Sequence, residues 1–331
     1  MLSHVLSVLD LLDSPQASAA GVIEALEASA PDFVEFESEV VTGEKGSTDF
    51  IRIIIPGTEG KRFGGRARTL GILGRLGGLG ARPELIGFVS DGDGAAAALS
   101  AAAKLCAMAA QGDRLVGDVI VATHIDPDAP TQPHDPVPFM NSVVEIEEMN
   151  AHEVSSEMDA IVSIDTTKGN RLLNHRGISI TPTAKDGYLL RVSEDLIGVL
   201  ETVTGDHARV FPITQQDITP YGNGLHHVNS IMQPAVATDA PVVGVALTTV
   251  TAVAGCATGA SHAVDIEAAT RFAIEVAKGF GSGAVDFFDE VEFERIVDLY
   301  GSNSHFRRQG GAGTLCSSCG GRIADEVRAT R

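Results

Sequence analysis

Residues 89–128 read VSDGDGAAAALSAAAKLCAMAAQGDRLVGDVIVATHIDPD, and this stretch decides the fold class. It opens on the end of a short apolar run, Leu85 to Val89, which reads as a buried strand. The acidic turn SDGDG then starts an Ala-rich helix from about Gly94 to Ala110, with Asp placed where a helix N-terminus favours it. A second apolar run, Val119 to Thr123, is a strand that passes directly into HIDPDAPTQPHDPVPF, a segment too rich in Pro for helix or sheet. Strand, helix and strand in this order describe a parallel crossover.

The same alternation extends in both directions. Upstream, Val5, Val8, Leu9 and Leu12 share a helical face, and Ser14-Pro15 marks a second helix start, ending before Pro31. Val34 to Val41 and Phe50 to Ile55 read as strands, the second stopped by Pro56-Gly57. Downstream, Ala160 to Ile164 is a strand ending in DTTKGN, and Ile178 to Pro182 another. Ser193 begins a helix that Gly205 closes. Val210 to Ile213 and Val242 to Leu247 are strands, and His262 precedes a helix from Asp265 to about Lys278. The expected fold is α/β, with a mostly parallel or mixed sheet flanked by helices in one domain over residues 1–310. Residues 311–331 form a Gly-rich polar tail.

Composition limits the function classes. The 331 residues carry 44 acidic and 24 basic side chains, a formal charge of -20. Such a surface repels phosphate backbones and anionic lipids, which argues against nucleic-acid and membrane partners. Aromatic residues are 5% and Trp is absent, so the core is aliphatic. The start MLSHVLSVLDLLDSP has no basic region before its apolar residues and does not read as a secretory signal. No apolar run approaches the length of a membrane span. Four cysteines do not make a disulfide framework at this length, and Cys106 and Cys256 read as reduced, so a cytoplasmic location is expected.

In open α/β sheets the site lies at the carboxyl ends of the strands. Asp91 and Asp93 follow one predicted strand, His124 and Asp126 the next, and Asp165 a third, while His134, His226, His227 and His262 fall in loops. Converging Asp and His groups would make a metal site. Each also has a plain structural reading: Asp91 and Asp93 as helix caps, His124 bonded to its own loop, the loop histidines exposed, and His262 as a cap. The glycine run from Gly64 to Gly80, with Arg66, Arg68, Arg75 and Arg82, matches neither phosphate-loop pattern and reads as a packed turn region or subunit contact. Cys316 and Cys319 form a lone CxxC, with no second pair to complete a zinc site.

The motifs VSDGDGA, ATHIDPDAPTQPHDPVPFM, SIDTTKGN and QDITPYGN resemble a bacterial domain family of unknown function over nearly the whole chain. The order of parts is also similar to the co-catalytic zinc aminopeptidase and carboxypeptidase superfamily. In that likeness Asp91 with Gly94 corresponds to a bridging aspartate opening a helix, Asp165 to a later aspartate ligand, and His262 to the last histidine ligand. The departures are that FIRIII ends in PGTEGK instead of the first HxD ligand pair, and that THIDPD stands where paired glutamates belong. Glu147 and Glu148 come only later.

The resemblance implies a metal-dependent hydrolase of peptide or other amide bonds. Zinc is the first choice and manganese the second, held by Asp91, His124, Asp165 and His262, with Asp126 or Glu148 as general base. Asp93, His134, His226 and His227 are further candidates. A binding protein that kept the fold without the chemistry, and a metal-independent lyase or isomerase using His124 with Asp126, are the alternatives. A small peptide or amide substrate and a homo-oligomer are the expected partners.

Overall fold

The computed structural model describes residues 1–75, 77–81, 87–133, 139–211, 230–253 and 260–307. Helices α1 (Leu2–Leu12) and α2 (Ala19–Glu27) lead into strands β1 (Glu35–Gly43), β2 (Gly46–Ile55) and β3 (Leu70–Gly74). Then come α3 (Asp93–Ala110), β4 (Val119–Ile125), the short pair β5 (Thr131–Gln132) and β6 (Phe139–Met140), α4 (Ile146–Glu153) and β7 (Ala160–Thr166). Strands β8 (Gly177–Ile180), β9 (Ala184–Lys185) and β10 (Tyr188–Leu189) precede α5 (Glu194–Thr204), β11 (Val242–Thr248), α6 (Ala263–Ser282) and α7 (Glu290–Tyr300).

Among the described residues nine strands form one sheet, in the order β1-β2-β4-β3-β7-β11-β9-β10, with β8 also on β11. Its centre, β4-β3-β7-β11, is parallel. Its flanks are antiparallel, β2 pairing β1 and β4 on one side and β11 pairing β8 and β9 on the other. The expected α/β architecture, a mixed sheet with a parallel core and flanking helices, is the one observed.

The two faces of the sheet are packed differently. On one, Ile53, Ile72, Val121, Val162 and Val245 meet α1, α3, α5 and α6 in the main core. Helix α3 packs on β3, β4 and β7 and is flanked by α1 and α6, which explains its alanines: small side chains let these elements approach closely. On the other face Leu73, Ile120, Ala122, Ile161 and Ala246 pack under Met158, Ile231 and Met232.

Three local readings are corrected. The stretch from Gly64 to Gly80, expected as a packed turn, contains β3, the strand that joins β4 to β7. Its glycines dilute the apolar pattern because the backbone is crowded: a Cβ at Gly74 would sit 2.6 Å from the Gly94 carbonyl oxygen and 2.7 Å from Ala95 Cα. The strand expected to end at Val89 is not formed over residues 87–89; instead the Val89 N–H donates to the Leu79 carbonyl. The second helix begins at Ala19, capped by Ser18 Oγ accepting from Gly21 N, because Ser14 Oγ is used in a turn with Gln16. Helix α7 escaped the sequence reading, and none of its residues is buried. Val210 makes an isolated bridge to Ile180 at the start of the strand expected there. Residues 212 and 213 of that strand and the whole tail from 311 lie outside the described residues.

Candidate active site at the ends of the parallel strands

Side chains alternate across a sheet, so the face opposite α3 receives Leu73 then Arg75 beyond β3, Ala122 and His124 on β4 then Asp126 just beyond it, and Ile161, Ser163 and Asp165 on β7. Along each strand this face changes from apolar to polar at the carboxyl end. Arg75, His124, Asp126, Ser163 and Asp165 are all buried. Helix α4 packs on β2 and β4 and contributes Asn150 and Glu153, both buried.

Glu153 links two of these strands. Its Oε1 lies 2.8 Å from His124 Nδ1, and its Oε2 accepts from Arg75 Nη1 at 2.5 Å, with all three side chains closed to solvent. The Gly77 N–H donates to His124 Nε2 at 3.0 Å. Because Nε2 is an acceptor, the ring is neutral and its proton is on Nδ1, donated to Glu153. Gly77 is required here: a Cβ would sit 1.6 Å from the His124 carbonyl oxygen.

Beside this chain is a small cavity of about 30 Å³ lined by Asp91, His124, Asp126, Asn141 and Ser142. A cavity needs roughly 10–15 Å³ to hold one water, so there is room here for a reacting water molecule. The Asp126 backbone is fixed by Gly77 and Leu79, its N–H donating to Gly77 O and its carbonyl accepting from Leu79 N. Its side chain is held less: Oδ2 is buried without a hydrogen-bond partner. Burial raises the Asp126 pKa to about 6.

A second polar group joins the starts of α3 and α6 to the loop after β7. Asp93 is the first residue of α3; its Oδ1 accepts from Ser261 Oγ at 2.5 Å and its Oδ2 lies 3.4 Å from Lys168 Nζ. Burial raises the Asp93 pKa to about 7, with Lys168 as the largest opposing influence. Lys168 and Ser261 were not among the residues singled out from sequence. Their role depends on contacts across 75 and 168 positions of chain, which no local pattern encodes.

The remaining candidates are dispersed. Asp165 ends β7 with Oδ1 accepting from the Thr166 N–H, and His262 is the N-cap residue of α6 without capping through its side chain. Glu148 stands on the outer side of α4, half exposed and paired with His152 at 3.1 Å. The inward-facing acid of that helix is Glu153, which the sequence reading passed over in favour of the adjacent Glu147 and Glu148. His134, His226, His227, Cys256, Cys316 and Cys319 lie outside the described residues.

The expected metal ligands do not form one donor set. Both His124 ring nitrogens are engaged, which leaves no lone pair for a metal. Among the described residues no three His, Cys, Asp or Glu side chains gather as a metal site. Zinc asks for three or four such donors, so the described residues do not fit it and no step below runs through a metal.

The sequence comparison matches residues 39–310 to DUF1177, a family described as proteins of unknown function. The chain belongs to this family. Among curated proteins none matches it. Among solved structures this DUF1177 chain is similar to a tomato leucine aminopeptidase mutant, with a TM-score of 0.51 at 12% identity. The likeness covers 82% of this chain and 61% of that one, so the DUF1177 chain spans less than two thirds of the enzyme's length. At that identity the likeness is one of fold. Among the described residues of this DUF1177 chain no helix is long and apolar enough to cross a membrane.

Proposed function

We propose that this protein hydrolyses an amide bond in a small substrate, with Asp126 as the general base. The observation that carries the reading is Asp126 itself. It is a buried carboxylate with an unpartnered Oδ2, a pKa near 6, and a place on a cavity large enough for water. A base poised close to neutral pH can take a proton from water and return it within one cycle. The fold shared with a leucine aminopeptidase supports amides as the substrate class.

In the reaction, Asp126 accepts a proton from water as the water oxygen bonds to the amide carbonyl carbon. The carbon–nitrogen bond then breaks, and the proton passes from Asp126 to the departing amine. His124 acts as a positioning residue: its neutral ring, held by Glu153 and Gly77, forms one wall of the cavity beside the base.

The test is release of free amine from a panel of dipeptides and N-acyl amino acids, followed for the wild-type protein, Asp126→Asn and Glu148→Gln. Loss of the base lowers kcat/KM by roughly 10²- to 10⁴-fold, whereas Glu148→Gln leaves it unchanged. Equal rates for Asp126→Asn and wild type, or no hydrolysis of any panel member, would remove the reading.

A further inference from the structure

Arg75 is wholly buried at the carboxyl end of the central strand, yet it uses only part of its hydrogen-bonding capacity. Nη1 donates to Glu153 Oε2, while Nε and Nη2 have no partner. These two atoms form one edge of the planar guanidinium, where two parallel N–H groups match two oxygens of a planar anion. An unpaired donor in a closed interior is costly, more so on a charged group, and the Arg75 edge carries two.

The surroundings have the same character. The Arg75 N–H bonds to the Ile164 carbonyl, and Leu73 stands level with Ser163 and Gly74 with Ile164, so on one face Arg75 comes level with Asp165 and diagonal to Ser163. Ser163 Oγ is also buried and unpartnered. Asn150, on α4, gives Nδ2 to Gln233 O while its Oδ1 is buried without a donor. Two guanidinium N–H groups and a hydroxyl suit a carboxylate, and a nearby amide oxygen suits an N–H attached to the same molecule.

We infer that the Nε/Nη2 edge of Arg75 is the binding site for a substrate carboxylate, so that the substrate is an amide carrying a free acid, such as a dipeptide or an N-acyl amino acid. Glu153 holds the guanidinium from behind through Nη1 and leaves this edge to the ligand. The assignment rests on the amide-hydrolase reading for its amide, and on Arg75 alone for its carboxylate.

The experiment compares N-acetyl-L-leucine with its methyl ester and its primary amide. Binding is measured by calorimetry on the Asp126→Asn protein, and hydrolysis of all three on the wild type. The acid binds more tightly than both neutral forms by roughly 10- to 100-fold, as expected for hydrogen bonds to a charged group. In Arg75→Lys, which keeps the charge and loses the flat edge, that preference falls away. Circular dichroism checks the folding of this variant. The double variant Arg75→Gln with Glu153→Gln repeats the test with no buried charge left unpaired.

Equal binding of acid, ester and amide, binding of none of them, or an unchanged preference in the Arg75 variants would overturn the inference. Arg75-dependent binding without hydrolysis would keep the inference and remove the hydrolase reading. Hydrolysis of all three at equal rates would do the reverse.

Discussion

Glu153 Oε1 and His124 Nδ1 lie 2.8 Å apart with neither side chain open to solvent, and this contact joins helix α4 to the end of β4. Since Glu153 also holds Arg75, removing its charge leaves a buried guanidinium without a counter-ion. Breaking a buried pair in this way costs about 3–5 kcal/mol. We expect Glu153→Gln to lower the unfolding free energy, read from urea titration, by that amount. Glu148→Gln, on the outer side of the same helix, should stay within about 0.5 kcal/mol of wild type. Equal effects of the two substitutions would show that the buried pair contributes nothing of its own.

Gly77 is where the backbone comes close enough to bond the His124 ring. Since a Cβ there would lie 1.6 Å from the His124 carbonyl oxygen, Gly77→Ala forces the loop and β4 apart. It also lengthens the Gly77 N–H to His124 Nε2 bond. The expected cost is about 3 kcal/mol or more, among the larger effects of a single substitution. A thermal melt of Gly77→Ala beside Gly198→Ala, an exposed glycine with open space around it and no positive φ, separates crowding from loss of glycine as such.

For Asp126 the prediction concerns activity. The base must be ionised, so kcat/KM should rise as pH increases through about 6 and then level off. A steady-state profile from pH 4.5 to 8 reads this directly. A profile flat across that range would remove Asp126 from the role.

Asp93 makes a prediction about stability. Its pKa is raised by burial from 3.8 to about 7 in the folded chain. Between those values the folded state holds a proton that the unfolded state has lost, so stability falls as pH rises from about 4 to 7 and is level above. The slope is on the order of 1 kcal/mol per pH unit for one such group. Urea titrations of wild type and Asp93→Asn at pH 5 and pH 7.5 should show a smaller pH dependence in the variant. An identical difference in both proteins would place the proton elsewhere.

Much of the fold was legible because its signals are local. The runs at Val119–Ile125, Ala160–Thr166 and Val242–Thr248 are unbroken, apolar and short, as strands buried on both faces must be. The alanines of α3 and the left-handed glycine after α5 mark those helices equally well. Strand β3 was missed because Gly71 and Gly74 occupy places where the neighbouring backbone or Met158 leaves no room for a side chain, and that crowding is a property of the assembled sheet. In α4, two adjacent glutamates drew attention by their pairing, while the acid that matters to the site is the one whose helical position faces the sheet.

The sequence by itself determined which residue types stand at the ends of the parallel strands: Asp126 after His124, Asp165 at the end of β7, and Asp91 and Asp93 at the start of α3. These follow from where apolar runs stop, which each segment declares on its own. Only the tertiary structure decided how they are used. It set Glu153 between Arg75 and His124, partners 78 and 29 positions away, and gave Asp93 to Lys168 and Ser261. It also left one edge of Arg75 and one oxygen of Asp126 unpaired. The physical reason is that burial and hydrogen-bond partnership arise where distant segments meet, and there the same carboxylate can become a structural tie or a base near neutral pH.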